Sequence, residues 1–591
     1  MTKKNKNIEL NSMETEKNEA LVEKIRHSLA HLLAMAVLKK DPQTKLAIGP
    51  AIENGFYYDF DLSKKLEEKD LTKLEEEIKK LISQKLDFKK EEISKKEAEK
   101  LFKDQPYKLE LLADLEKPTI YRSDGFIDLC EGPHITNSSE INPEAFKLMS
   151  IAGAYWKGNE KNKMLTRIYG VAFKTEEELS KHLQMLEEAE KRNHRKIGKE
   201  MELFVNLPEV GQGLPIWLPK GYAMRRVLED YMLKMERSYG YEHLLSPHIN
   251  KAELFETSGH LGFYKDSMYT PLKIDNETFY LKPMNCPVAM MVYKMKPKSY
   301  RDLPLKWGEL GTVYRYEKSG ELHGLQRVRG FTQNDAHIFC TSEQLEDQFM
   351  EVLEMLEIFY RDLGFNNYTY RLSLSGDDRT KYVGEKKDWE KAESTLKKVL
   401  TKNKVKFREE KNEAAFYGPK LDIQAINVFG KEDTISTIQI DFNLAERFDL
   451  NYIDKEGKKK RPFIIHRALI GSFERFFAFL IEHYAGKFPL WFAPVQIKVL
   501  SISDKHKKYA QEVFKKLLDE DFRVKLDLDD ESLGKKIRIA KIEKVPYILI
   551  LGDKESESSV VTVESRDNGN LGQSSIDEFI DKIKQEIEER K

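Results

Sequence analysis

The sequence predicts a multidomain α+β chain built around an antiparallel-sheet core. Three observations predict it. The chain has 591 residues, more than one hydrophobic core fills. From Met201 to about Phe488, apolar strands, Gly-rich loops and aromatics dominate. Beyond Pro489, strand-type and helix-type runs alternate, as in a small α/β domain.

Composition narrows the class. Hydrophobic residues make up 40% and charged residues 34%, which is globular usage. No stretch approaches the ~20 apolar residues that a membrane span needs. The N-terminus, MTKKNKNIELNSMETEKNEA, lacks an apolar signal core, and its Glu residues argue against an organelle transit peptide. A cytoplasmic location is the expectation. The formal net charge of −1 neither advertises nor excludes nucleic acid. The cysteines are Cys130, Cys286 and Cys340, an odd and sparse set rather than a disulfide framework.

In chain order, residues 1–20 read as a polar, disordered tail. Residues 21–178 read as an α+β domain. It opens with the helix EKIRHSLAHLLAMAVLKK, followed by strands and turns in AIGPAIENGFYYDFDL and a Lys/Glu helical stretch over 64–103. The segment TEEELSKHLQMLEEAEKRNHRKIGKEM reads as one long polar helix, a linker over 179–200. A core domain then occupies 201–488 and a small α/β domain 489–591.

The core carries three candidate segments. GTVYRYEKSGELHGLQRVRGFTQNDAHIFC reads as a long antiparallel hairpin. Strand alternation puts Gln333, Asp335 and His337 on one face, and Thr332, Asn334 and Ala336 on the other. Arg315 and Glu317 share a face of the first strand, with Arg327 and Arg329 in the loop. Arginine forks suit phosphate or carboxylate. In IIHRALIGSFERFFAFLIEHYAG, His466 ends an apolar strand and Arg475 sits in the first turns of an apolar helix, where it pairs with an acid or binds an anion. In YLKPMNCPVAMMVYKM, Cys286 precedes Pro287 at a helix start. That position favours the thiolate, although a lone cysteine is also commonly a small buried hydrophobe. Spacing by itself does not make these three segments a metal site.

At the other end, His27 and His31 stand at i,i+4, turned away from the stripe Ile25, Leu29, Leu32, Leu33 and Ala36, and so toward solvent or a cleft. H-S-L-A-H lacks the Glu of a zinc protease. IDLCEGPHI adds Asp128, Cys130 and His134. By spacing, His27, His31, Cys130 and His134 could form a zinc site.

Residues 201–487 resemble the catalytic domain of class II aminoacyl-tRNA synthetases. Pro247 fits the first motif of that class, Arg315-Tyr-Glu317 the second and Gly471-Ser-Phe-Glu-Arg475 the third. KPMNCP, SYRDLP, HGLQRVRGFTQNDAHIFC and FYGPK are similar to threonyl-tRNA synthetases, and the resemblance runs from about residue 21 to the end. It implies one zinc per subunit on Cys286, His337 and His466, with ATP and magnesium as further requirements. It implies that Asp335 accepts from the substrate hydroxyl and that Arg315 holds the carboxylate and α-phosphate. Arg475 clamps ATP, Glu317 meets adenine, and Gln333, Tyr417, Lys420 and Met284 line the pocket. His260 assists transfer to the tRNA.

HxxxH with CxxxH, AIGPAIENGFYYD and AGAYWKGN resemble the editing domain of that family. This implies that His27, His31, Cys130 and His134, with Asp128 and Lys108, position a water against mischarged seryl-tRNA. The logic is a double sieve: a site that binds a hydroxyl rejects valine but keeps serine. The last domain resembles the group's anticodon-binding domain, implying roles for Glu555 and Arg566 on tRNA(Thr). The resemblance also implies a homodimer and the substrates L-threonine and ATP. It matches the bacterial type without the N-terminal ubiquitin-like domain. Departures from the pattern are Val288-Ala289 for Gly-His, Thr434 for a Gln and Glu564 for an Arg. An RNA-binding regulator or a free-standing editing hydrolase would not need the intact ATP and metal motifs. A serine or proline synthetase would lack the Cys-His-His set.

Overall fold

The computed structural model describes residues 3–590, with side chains from residue 18 onward. Contacts divide it into two compact units, residues 1–187 and 188–591.

The first unit opens on a helix over Lys3–Lys40. The stretch expected to be a disordered tail is helical backbone from Lys3. No Gly or Pro interrupts it, and Lys and Glu are good helix formers. Its last turns are buried on almost every side, from Ser28 through Ala34. A helix apolar all round lies inside a domain. His31 is therefore in the interior at 2% exposure, not on a solvent face. The helix packs on the sheet strand Gly55–Asp61, which pairs antiparallel with Met164–Ala172, itself paired with Phe146–Tyr155. A second, three-stranded sheet orders Lys89–Glu92, Thr119–Ser123 and Phe126–Leu129. This sheet and the helix Pro106–Ala113 present Asp128 and Lys108.

The expected single connector helix is two. Glu176–Arg192 ends at Asn193, whose side chain accepts from Arg195 N–H and starts a new helix, His194–Glu200. Asparagine makes that local bond more readily than it continues a helix.

The second unit holds an eight-stranded sheet ordered Glu242–His243, Leu305–Tyr314, Gly330–Cys340, Phe463–Ala468, Glu432–Asp441, Lys420–Ile426, Tyr368–Leu374 and Phe407–Lys411. Its two edge pairings are parallel and the inner ones antiparallel. The helix Phe473–Tyr484 packs on it through Phe473, Phe476, Phe477, Leu480 and Ile481, all at most 1% exposed. Each such side chain contributes ~1.5–3 kcal/mol of burial.

The C-terminal domain is a five-stranded sheet ordered Val524–Asp527, Ile497–Ser501, Tyr547–Leu551, Val560–Ser565 and Gly569–Ser575. The short helix Asp553–Ser558 and the last of these strands are absent from the sequence reading. Their polar stretches carry no apolar periodicity to mark them.

Candidate active sites

The strand Gly330–Cys340 organises the core site. It lies between Leu305–Tyr314 and Phe463–Ala468, so both of its edges are hydrogen-bonded. Asn334 is fully buried on one face, bonded to Glu236 and to Arg467. On the other face Gln333 reaches a cavity of about 650 Å³. Asp335 and His337 follow on that face toward the sheet interior, ~7 Å per two residues.

The cavity is lined by Arg315, Glu317, Arg327, Gln333, Lys420 and Arg475, among others. Arg315 and Glu317 lie just beyond the strand, which ends at Tyr314, rather than on it. Arg315 packs between the Tyr264 and Phe331 rings, its Nε–H on the carbonyl of Pro283 at 3.3 Å. Glu317 accepts from Arg327 Nε–H at 2.8 Å. Arg329, whose fork suits phosphate or carboxylate, donates instead to the carbonyls of Glu317 and Gln212 and ties the loop to the core. Arg475 is not buried in its helix. Its guanidinium opens on the cavity at 48% exposure, 3.4 Å from Asp433. The buried arginine is Arg467, held at 2.6 Å by Glu236.

Deeper in, Cys286, His337 and His466 gather with their ligand atoms within 4.8 Å of one another. His337 and His466 are register partners on adjacent strands, and Cys286 is the first residue of the helix Cys286–Lys294. The trio fits a metal ion. His466 Nε2–H donates to Asp441 Oδ2 at 3.0 Å, which leaves Nδ1 as ligand. His337 Nε2 is buried without a partner. Burial pushes the Cys286 thiol well up and holds His337 neutral. A cation brought among them would reverse the cost of the thiolate.

Around the trio, Asp335 accepts from Asn285 Nδ2 at 3.2 Å, and burial raises its carboxyl to about 6 against the opposing pull of His466. Gly311 makes that contact possible, since a Cβ there would lie 2.4 Å from Asn285 Oδ1. The Tyr417 hydroxyl donates to Gln439 at 2.5 Å, its ring 5.3 Å from His466. Lys420 pairs with Asp422 at 2.9 Å on the cavity wall. His260 is fully buried, Nδ1 at 2.8 Å from Ser258 Oγ, with Nε2 unpartnered. Burial, then Arg315, lower it to about 3. Asn285, Gln439 and Asp441 are residues that the sequence reading missed. Thr437, Gln439 and Asp441 alternate with Ile438 and Ile440, a period-two signal for a polar face.

The first unit builds a second cluster. His27, His31, Cys130 and His134 bring their ligand atoms within 4.8 Å of one another. His27 Nδ1–H donates to the carbonyl of Pro133 at 3.2 Å, so Nε2 faces Cys130 Sγ with its lone pair at 3.2 Å. Ser28 Oγ accepts from Ile135 N–H and gives its proton to His134 Nδ1 at 3.0 Å, leaving N–H on His134 Nε2 beside Cys130 Sγ at 3.3 Å. Asp128 is the hub: His31 Nε2 lies 3.4 Å away, Tyr58 O–H donates at 2.6 Å, and Lys108 pairs with the second oxygen. Burial lowers all three histidines and pushes Cys130 up to about 12. The result is three neutral imidazoles and a neutral thiol. Ser28 and Tyr58 are further residues that sequence reading missed. Tyr58 alternates with Phe56 and Phe60 in a strand that reads as core.

Residues 269–484 match the tRNA synthetase class II core domain (G, H, P, S and T). Residues 494–586 match an anticodon binding domain, and 119–169 the threonyl and alanyl tRNA synthetase second additional domain. The threonine–tRNA ligase of Geobacillus kaustophilus is 46% identical over 574 residues, covering 96% of this chain and 88% of that protein. Threonine–tRNA ligase 1 of Bacillus subtilis is 47% identical over 575 residues, covering 96% and 89%. The chain belongs to the threonine–tRNA ligase family. The solved RNA binding domain of threonyl-tRNA synthetase from Cryptosporidium parvum superposes with a TM-score of 0.62 at 36% identity, covering 67% of this chain and 98% of that one.

In this synthetase the two anticodon candidates are occupied by the protein itself. Glu555 caps its helix through Gly552 N–H and accepts from Thr562 and Gln573. Arg566 donates to the carbonyls of Phe488 and Lys544 and pairs with Asp567. Arginine's several donors suit it to cap exposed carbonyls of this kind. Of the departures, Thr434 lines the cavity and accepts from Gln424, and Glu564 pairs with Lys541 at 2.7 Å. Among the described residues, no helix is long and apolar enough to cross a membrane.

Proposed function

We propose that the core site activates L-threonine with ATP and transfers it to tRNA(Thr), and that the cluster on His27, His31, Cys130 and His134 hydrolyses seryl-tRNA(Thr). The observation that carries the core reading is the buried Cys286–His337–His466 trio, reached by one strand face from the cavity.

A zinc ion held by that trio supplies a Lewis-acid position for an amine and a neighbouring hydroxyl. Asp335, largely ionised at neutral pH, accepts from the hydroxyl. Tyr417 and Gln439 bound the side-chain pocket. Arg315 orients the threonine carboxylate against the α-phosphate of ATP, whose charge magnesium shares. Arg475 at the helix end and Arg327 on the loop face the remaining phosphates. Glu317 meets the adenine after exchanging its bond to Arg327. Carboxylate attack at phosphorus releases pyrophosphate. The tRNA ribose hydroxyl then attacks the threonyl carbonyl and AMP leaves. His260, neutral with Nε2 free, accepts the ribose proton.

With zinc bound, the Cys286–His337–His466 site would select for the hydroxyl and so reject valine, but serine keeps that group. The first unit answers with neutral imidazoles that orient a water on the seryl ester, Asp128 and Lys108 holding the frame. Glu555 and the C-terminal domain take the anticodon, and the Pro247 region forms a homodimer interface. ATP–pyrophosphate exchange with threonine, serine and valine, run with and without a zinc chelator, tests the core reading. Exchange with threonine and serine, loss on chelation and no exchange with valine support it. Equal exchange with valine overturns it.

A further inference from the structure

The loop over residues 315–329 carries Glu317, His323, Gln326 and Arg327 to the cavity wall, and the helix Phe473–Tyr484 carries Arg475 to the facing side. Each segment has its own anchor, Arg329 for the loop and the buried apolar face for the helix. What joins them is a histidine outside every motif of the site.

His194 is the first residue of the helix that follows the connector, and it is fully buried. Its Nδ1 lies 2.7 Å from Glu482 Oε1, near the end of the Arg475 helix. A carboxylate accepts, so the proton sits on Nδ1. Nε2 then accepts the backbone N–H of Leu325, in the middle of the loop, at 3.2 Å. One imidazole in one tautomer thus ties the loop to the helix. The loop is shaped for it. Gly324 has φ of 52°, and a Cβ there would lie 2.0 Å from His194 Nε2, so only glycine lets the backbone press onto the ring. Leu325 drives its side chain, fully buried, into the main core. The His323 ring stands edge-on at 5.5 Å.

We infer that His194 is a positioning residue for amino-acid activation: it latches the phosphate-side loop to the Arg475 helix and sets the affinity for ATP. This rests on reading the cavity as the ATP site. A buried polar group deprived of its partner destabilises its local arrangement. The loss falls on the middle of the loop around Leu325, because the Arg329 bonds that tie the loop to the core lie at its far end.

The test uses the full-length protein. His194→Ala raises the KM for ATP in pyrophosphate exchange by about tenfold, equivalent to ~1.4 kcal/mol, and leaves the KM for threonine within about twofold. Amide exchange over residues 319–329 becomes faster, while the strands Leu305–Tyr314 and Gly330–Cys340 stay protected. Glu482→Gln keeps an acceptor for Nδ1–H and stays near the parent. Gly324→Ala attacks the same contact from the loop side, reproduces the ATP effect, and serves if His194→Ala folds poorly. An unchanged ATP KM in both variants overturns the inference. So does a parallel fall of kcat and both affinities with the melting temperature, which marks a merely structural residue. Arg475→Ala separates the two readings. If it leaves the ATP KM unmoved, the cavity is not the ATP site. If it raises that KM while His194→Ala and Gly324→Ala do not, the latch alone is wrong.

Discussion

His337 and His466 face each other directly across two antiparallel strands, their rings edge-on with centroids 4.8 Å apart. Antiparallel pairing brings the side chains of opposed residues together, and Asp441 fixes the ring of His466 from behind. Asp441→Ala therefore lowers metal affinity by about 10–100-fold while the trio itself is intact. Competition with a chromophoric chelator reads this. Parent-like affinity would leave Asp441 without a role in holding the ligand.

The second cluster hangs on Asp128, which meets His31, Tyr58 and Lys108. Asp128→Asn is expected to slow deacylation of seryl-tRNA by at least about tenfold, because it leaves a buried lysine without its counter-charge. Threonine activation should be untouched. Tyr58→Phe removes one bond to a charged acceptor and has a smaller effect, ~1.5–3 kcal/mol at most. A deacylation rate for Asp128→Asn equal to the parent's would dissociate the carboxylate from editing.

His260 is held down to about 3 by burial and then by Arg315. His260→Asn should reduce transfer to tRNA by ~10²-fold while pyrophosphate exchange persists. The acid limb of the transfer rate should lack a step near the usual histidine value. The sign for stability follows from linkage. Between about pH 6.5 and the lowered value the unfolded chain binds the proton and the folded chain does not. His260 thus costs stability as pH falls through that window, and His260→Asn flattens the slope by up to ~1.4 kcal/mol per pH unit. Urea titrations across the window measure it, and parallel curves for the two proteins would contradict it.

Glu543 joins the C-terminal domain to the helix Pro219–Ser238. It lies 3.0 Å from Lys498 and 3.2 Å from Lys220. Burial alone would raise its carboxyl, yet Lys498, Lys220 and Lys525 hold it at about 2. Its contribution is complete above the unfolded value of about 4.3 and is lost as pH falls toward the folded one. Glu543→Gln should destabilise the chain by ~1–3 kcal/mol at neutral pH. The difference from the parent should narrow below about pH 4, checked by denaturant unfolding at several pH values. A difference independent of pH would point to packing instead of charge.

Much of the site was legible because strand alternation is a local rule. Gln333, Asp335 and His337 share a face in the sequence and in the structure. Where the rule ends, so did the reading. Arg315 and Glu317 lie one and three residues past the last strand residue, and their directions are set by Pro283 and Arg327. Arg329 was misplaced for the same reason, its partners being carbonyls distant in the chain. His31 was read as facing solvent or a cleft, because helical spacing shows the widest apolar stripe but not how many neighbours surround a helix. Arg475, read as an arginine on an apolar helix, is open to the cavity, whereas Arg467 beside His466, which carried no sequence signal, is buried.

By itself the sequence determined the classes of element and the antiparallel hairpin, which rest on periods of two and 3.6 written along the chain. The residues of the two clusters were named by the motifs that carry the family resemblance. Tertiary structure alone decided which nitrogen of His27, His134, His194 and His466 carries a proton. It decided that Asp441 backs the metal site and that a connector histidine meets a loop 131 residues away. Hydrogen bonds act over about 3 Å in space with no limit on separation in sequence, so no local pattern encodes them.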